Sequence, residues 1–290
     1  MSGEGSPPQA PAAAAGLHHA LWQDLGARTL SAVVLIPAVI LDVWLGGVWF
    51  EVFMALIGVL IAYEWCNMVH ARSAAQFALH AGAALVATFL PRETGLLPAA
   101  GVVLMLTAVG TFASSLREGE KTFWTYAGIP YAAFPVMAFV ALRNDPAWGL
   151  HAILWLLIVV WATDTCAYFS GRLVGGPKLA PRFSPGKTWA GLAGGMAGAF
   201  LLSALFALAL QASVLPLALA AAILAVVAQL GDIGESALKR HYGVKDSGDL
   251  IPGHGGMMDR LDGLLAAGVA AALVGFVRQP EALAHGLLFW

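Results

Sequence analysis

VLPLALAAAILAVVAQLG, residues 214–231, decides the fold class. It runs for 18 residues without an acidic or basic side chain, about the length at which a helix crosses the hydrocarbon of a bilayer. Shortly afterwards the character reverses. SALKRHYGVKDSGDLIPGHGGMMDRLD, residues 236–262, carries four Asp, four Lys or Arg and two His, in a chain that is 59% hydrophobic and only 11% charged. A second apolar run follows at 262–278. Acids, bases and glycines held together at a membrane surface are what a metal- and phosphate-handling site needs.

The rest of the 290 residues repeat the apolar pattern. Mean hydropathy is +0.77, a value that water-soluble domains of this length rarely reach. Nine runs are long enough to span: about 29–47, 49–69, 74–90, 97–115, 123–142, 149–170, 188–211, 214–231 and 262–278. The third is short and contains Gln76 and His80. These runs predict an all-α polytopic membrane protein with about nine transmembrane helices. The many Gly and Ala residues suit close helix contact in lipid. With the N-terminus cytoplasmic, twelve Lys and Arg fall on inner segments, and only Arg92, Arg143 and Arg278 on outer ones. That split obeys the positive-inside rule. It puts the longest polar loops, 171–187 and 232–261, on the cytoplasmic face, where nucleotides are available.

Residues 1–25 are rich in Pro, Ala and Gly and read as a disordered tail without the basic start of a signal peptide. Helices over 26–148 and a catalytic region over 149–290 complete the expected organisation. Cys66 and Cys166 both lie in predicted spans, so neither a disulfide nor a zinc site is expected. The net charge of −2 gives no reason to expect a nucleic-acid partner.

Two motifs converge on the predicted inner face. The first contains Asp164, a carboxylate inside a span, which is a functional candidate by default although an interhelical hydrogen bond could also explain it. After it come Gly171-Arg172, Gly175-Gly-Pro-Lys178 and Ser184-Pro-Gly-Lys187-Thr188. Glycines that let backbone N–H groups approach, together with lysines, suit a polyphosphate. The spacing is not that of a P-loop, and a basic loop obeying the orientation rule explains the lysines equally well. The second motif runs from Gln229 through Asp232 to Asp262. Asp259 and Asp262 are three apart, which puts both carboxylates on one helix face where they could hold Mg²⁺. The glycines of Gly253-His254-Gly255-Gly256 permit close backbone approach to a ligand.

The ordered run Ser236, Lys239, Arg240, Lys245, Asp246, Pro252, His254, Gly255, Gly256, Asp259, Arg260 and Asp262 resembles the signature of the phosphatidate cytidylyltransferase (CDP-diacylglycerol synthase) family. Asp164, Tyr168, Gly171, Arg172, Ser184, Lys187, Thr188 and Trp189 resemble its upstream motifs, while Gly186 and Ala190 depart from them. Before about residue 150 only the hydropathy pattern agrees. The resemblance implies transfer of the cytidylyl group of CTP to phosphatidic acid, giving CDP-diacylglycerol and pyrophosphate; the compact layout and the lack of a targeting peptide point to a bacterial inner membrane. It implies Mg²⁺, as two divalent or mixed ions, on Asp259 and Asp262, with Asp232 and Asp164 completing the set. Lys239, Arg240, Lys245 and Asp246 join those two aspartates as expected catalytic residues. Arg172, Lys178, Ser184, Lys187, Thr188, His254, Gly255, Gly256 and Arg260 are expected to bind substrate. A homodimer is left open. A CTP-dependent lipid kinase and a transporter are the rival readings.

Overall fold

The computed structural model describes residues 33, 36–69, 73–118, 122–250 and 255–290. The expected tail at 1–25 and the first residues of the first expected span lie outside the described residues. In chain order the elements are α1 (Ile36–Leu45), α2 (Gly47–Met68), α3 (Ala74–Thr94), α4 (Leu96–Glu118), α5 (Thr122–Arg143), α6 (Gly149–Leu173), β1 (Lys178–Ala180), β2 (Ser184–Thr188), α7 (Trp189–Leu210), α8 (Val214–His241), α9 (Met258–Arg278) and α10 (Leu283–Leu288). Among the described residues, eight helices, α2 to α9, are long and apolar enough to cross a membrane. The first of the nine expected spans is represented by the ten residues of α1.

Local chemistry sets several boundaries. Gly46 and Gly47 take positive φ between α1 and α2, and Gly95, at φ 88°, ends α3. Asp145 Oδ1 accepts hydrogen bonds from the backbone N–H groups of Ala147 and Trp148 at the start of α6. Thr188 caps α7 by accepting from Gly191 N at 3.0 Å. The polar residues of α3 find partners inside the bundle. His80 is buried, and its ring nitrogens lie 2.8 Å from Gln76 O and Thr125 O.

Packing in the catalytic half depends on missing side chains. A Cβ at Gly195 would lie 2.9 Å from Thr163 O, and one at Gly198 would lie 2.4 Å from Cys166 Sγ. Glycine therefore lets α7 lie directly against α6. The same device joins α8 to α9, where a Cβ on Gly231 would meet Ala266 Cβ at 2.6 Å and Asp262 O at 2.9 Å. Trp155 Nε1 donates to Ser203 Oγ at 2.8 Å, and that hydroxyl donates to Leu217 O, which satisfies the buried indole. Large exposed side chains such as Leu205, Leu219 and Ile223 face outward, as a bilayer-embedded surface requires.

Two features differ from the expectation. The connection foreseen as a loop over 232–261 narrows, because α8 continues to His241 and α9 begins at Met258. At 28 residues, α8 is about 42 Å long, against roughly 30 Å of hydrocarbon. Its polar last turns are thus a projecting continuation of the span. Within the other connection, β1 and β2 pair antiparallel, with Lys178 opposite Thr188 and Ala180 opposite Ser184. This hairpin is the one sheet among the described residues of an otherwise helical chain.

Candidate active site

The polar side chains collect at one end of the bundle, around two ammonium groups, one on β2 and one on α8. The first is Lys187, presented by β2. Its Nζ lies 2.6 Å from Asp232 Oδ2 on α8 and donates to Gln229 O at 3.3 Å. Gln229 Nε2 in turn donates to Asp164 Oδ1 on α6 at 3.4 Å. Asp262 on α9 lies within electrostatic reach of both Asp232 and Lys187. Carboxylates from three helices therefore surround one cation. Beside them is a cavity of about 540 Å³, lined by Asp164, Arg172, Lys187, Thr188 and Asp232 among others.

The second ammonium group is Lys239. It bridges Glu235 Oε1 at 3.1 Å and Asp259 Oδ1 at 2.5 Å. Asp259 Oδ2 accepts from Ser247 N at 2.8 Å, Ser247 Oγ at 2.9 Å and Gly256 N at 3.0 Å. These bonds tie the end of α8, the following connection and the start of α9 into one unit. Gly256 must lack a side chain, because a Cβ there would lie 2.1 Å from Ser247 Oγ and 2.8 Å from Glu64 Oε1.

Glu64, on α2, is the residue that sequence reasoning missed. It is 1% exposed. Its Oε1 accepts from Met257 N at 2.7 Å, and its Oε2 accepts from Met258 N at 2.8 Å and Ser247 Oγ at 3.0 Å. A carboxylate nearly two hundred residues away in sequence thus caps the N-terminus of α9. The available signal was the one applied to Asp164, an ionisable group inside a span.

The structure gathers the expected residues into different groups from those foreseen. Asp259 and Asp262 share a helix, yet Asp259 is bonded directly to Lys239 and backbone amides, while Asp262 accepts from Gly263 N and faces Asp232, Lys187 and Lys239 at longer range. The Gly256 N–H is taken by Asp259, so it serves the protein's own carboxylate. Lys239 is likewise held between two carboxylates and only 9% exposed. Lys178, Lys245 and Asp246 are exposed, and Ser184 is half-buried. Arg240 Nη1 donates to Val244 O at 3.1 Å, and Arg172 Nη1 donates to the Tyr168 hydroxyl at 3.3 Å. His254 lies outside the described residues. Arg260 lines a separate apolar cavity with Trp161 and Leu264.

Among the described residues, no group of three or more His, Cys, Asp or Glu side chains stands close enough together to hold a metal ion. The donor chemistry nevertheless suits one. Asp164, Asp232 and Asp262 are hard oxygen donors, and the charge they face here is the Lys187 ammonium.

A bundle of apolar helices, with interleaved cations and carboxylates beside open cavities at one end, defines an integral membrane protein built to handle charged groups at a bilayer surface. The chain belongs to the cytidylyltransferase family, whose sequence profile it matches over residues 26–277. It is 40% identical to the phosphatidate cytidylyltransferase of Brucella abortus (strain 2308) over 267 residues, 90% of this chain and 97% of the relative. The protein of that name from Haemophilus influenzae is 33% identical over 83% of this chain and 94% of its own length. The one from Bacillus subtilis (strain 168) is 43% identical over 57% of this chain and 61% of its own length.

Proposed function

We propose that this protein transfers the cytidylyl group of CTP to phosphatidate, giving CDP-diacylglycerol and pyrophosphate, as a step of phospholipid biosynthesis. The observation that carries the reading is the meeting of Lys187 with Asp164, Asp232 and Asp262 beside a glycine-containing hairpin at one end of the bundle. A phosphate oxygen of phosphatidate attacks the α-phosphorus of CTP. The bond from that phosphorus to the bridging oxygen breaks, and pyrophosphate leaves. Phosphatidate is already ionised near neutral pH, so no general base is needed. Catalysis then consists of positioning and charge neutralisation.

Lys187, with Arg172 in the last turn of α6 and Lys178 on β1, supplies positive charge to the triphosphate. Thr188 holds the start of α7, and with it the hairpin that presents Lys187. Asp232, Asp262 and Asp164 would hold Mg²⁺, which when bound neutralises phosphate charge. Asp259, held by Lys239, Ser247 and Gly256, organises the start of α9 on which Asp262 sits. The same reading places the site toward the cytoplasm of a bacterial inner membrane. The twelve-to-three distribution of cations and the bacterial relatives support that placement.

The test uses purified protein in mixed micelles with Mg²⁺, phosphatidate and CTP labelled at the α-phosphate. Label entering the lipid phase, with release of pyrophosphate, is the expected result. Transfer from γ-labelled CTP to a polyprenol, with none from the α-position, would overturn the reading in favour of a kinase.

A further inference from the structure

A cavity of about 370 Å³ lies between α1, α2, α5, α6 and α9. Its walls are apolar: Phe53 and Ile57 on α2, Leu157 and Trp161 on α6, and Leu264 on α9 are among them. Along α6 it runs from Trp161 to Ile153, about 12 Å at the helical rise of roughly 1.5 Å per residue. Among the described residues, Arg260 is the one charged side chain lining it. The ends of this groove differ in a way that fixes its polarity. Trp161 is one turn before Asp164, and Arg260 lies in the first turn of α9 between Asp259 and Asp262. The charged end of the groove therefore lies at the same end of α9 as Asp259 and Asp262, and its apolar end runs along α6 toward Ile153.

Building on the cytidylyl-transfer reading, we propose that this groove seats one acyl chain of the phosphatidate substrate, with the lipid phosphate at the Arg260 end. Charge complementarity favours this occupant. A guanidinium forms paired hydrogen bonds to a phosphate, and the rest of the lining matches hydrocarbon. Position favours it too, because Arg260 lies at the start of α9, the segment that also carries Asp259 and Asp262. Lipid tails are as apolar as the groove walls, so moving a tail from bilayer to groove gains little affinity. The groove acts instead by fixing where the headgroup sits, and its effect falls on turnover of long-chain substrates.

Two measurements test this in the full-length protein. The first photolyses a phosphatidate carrying a diazirine near the end of one chain and maps the adduct by mass spectrometry. Label is expected on groove residues of α2, α6 or α9, displaced by dioleoyl phosphatidate and not by dioleoyl phosphatidylcholine. Equal displacement by both lipids would mean an ordinary bilayer lipid. Absence of label from the groove would mean that it is empty or filled by this chain's own residues. Either result overturns the proposal.

The second measurement narrows the groove with Leu264→Trp and, separately, Ile57→Trp. Turnover of dioleoyl phosphatidate should fall at least about fivefold relative to dihexanoyl phosphatidate, since pocket shape discriminates hydrocarbon on that scale. An unchanged ratio in both variants would overturn the proposal. Wild-type turnover of the dihexanoyl substrate separately reports on cytidylyl transfer, so failure of that reaction is distinguishable from failure of the groove.

Discussion

Glu64 is the residue whose removal should say most about how the site is held. In Glu64→Ala, the Ser247 hydroxyl keeps an acceptor, because Asp259 Oδ2 lies 2.9 Å away. The N–H groups of Met257 and Met258 lose theirs. Each orphaned buried donor costs about 1–3 kcal/mol. Two of them weaken the start of α9 by about 4 kcal/mol as a middle figure, which corresponds to roughly a thousandfold more frequent opening. Hydrogen exchange reads this directly, since opening free energy sets the protection of each amide. The amides of Ser247 and Gly256, both bonded to Asp259, are the reporters. Their protection should fall roughly a thousandfold in Glu64→Ala and roughly thirtyfold in Glu64→Gln, which keeps one acceptor oxygen. Cytidylyl transfer should fall in the same order, with Gln between wild type and Ala. Unchanged protection at both amides in Glu64→Ala, with wild-type turnover, would refute the claim that α2 holds the start of α9.

The other expectations concern the two ammonium groups, one helix crossing and the metal. Asp259→Asn leaves Lys239 facing Glu235 alone; turnover should fall about a hundredfold or more, and thermal unfolding should shift down because a mostly buried pair has lost one partner. A variant that melts like wild type would mean the pair does not secure the fold. Lys187→Met removes the partner 2.6 Å from Asp232; kcat/KM for CTP should fall about a hundredfold, and an unaltered value would take Lys187 out of nucleotide binding. Gly231→Val must push α8 from α9, since even a Cβ would meet Ala266 Cβ at 2.6 Å; destabilisation of about 1–3 kcal/mol should accompany lost turnover, and a fully active variant would show that this crossing does not set the position of Asp262. Excess chelator should abolish transfer and added Mg²⁺ should restore it, whereas full activity in chelator would remove Mg²⁺ from the proposal.

The spans and the two site motifs were legible because each signal is local. A helix must satisfy its own backbone in lipid, so hydropathy alone marks 214–231 as a span. The third span, which contains Gln76 and His80, is a full helix whose buried His80 ring pairs with Gln76 O of the preceding turn and with Thr125 O of α5. The limits of the polar connections were less legible. Helix α8 continues ten residues beyond the last apolar position of its span, and polar composition does not distinguish a projecting helix from a loop.

The sequence by itself determined that this chain is a membrane helix bundle, which residues carry charge, and which family motif they form. Only the tertiary structure decided which charges meet. Asp259 and Asp262 share a helix turn, but the rotation of α9 against α8 and α2 gives Asp259 a direct bond to Lys239 and leaves Asp262 in the field of both Lys187 and Lys239. The same packing brings Glu64 to Met258 across 194 positions of sequence. The reason is physical. Apolar periodicity specifies that a helix spans, whereas its rotation and its neighbours follow from side-chain volume at crossings such as Gly231, where a missing Cβ lets α8 and α9 close.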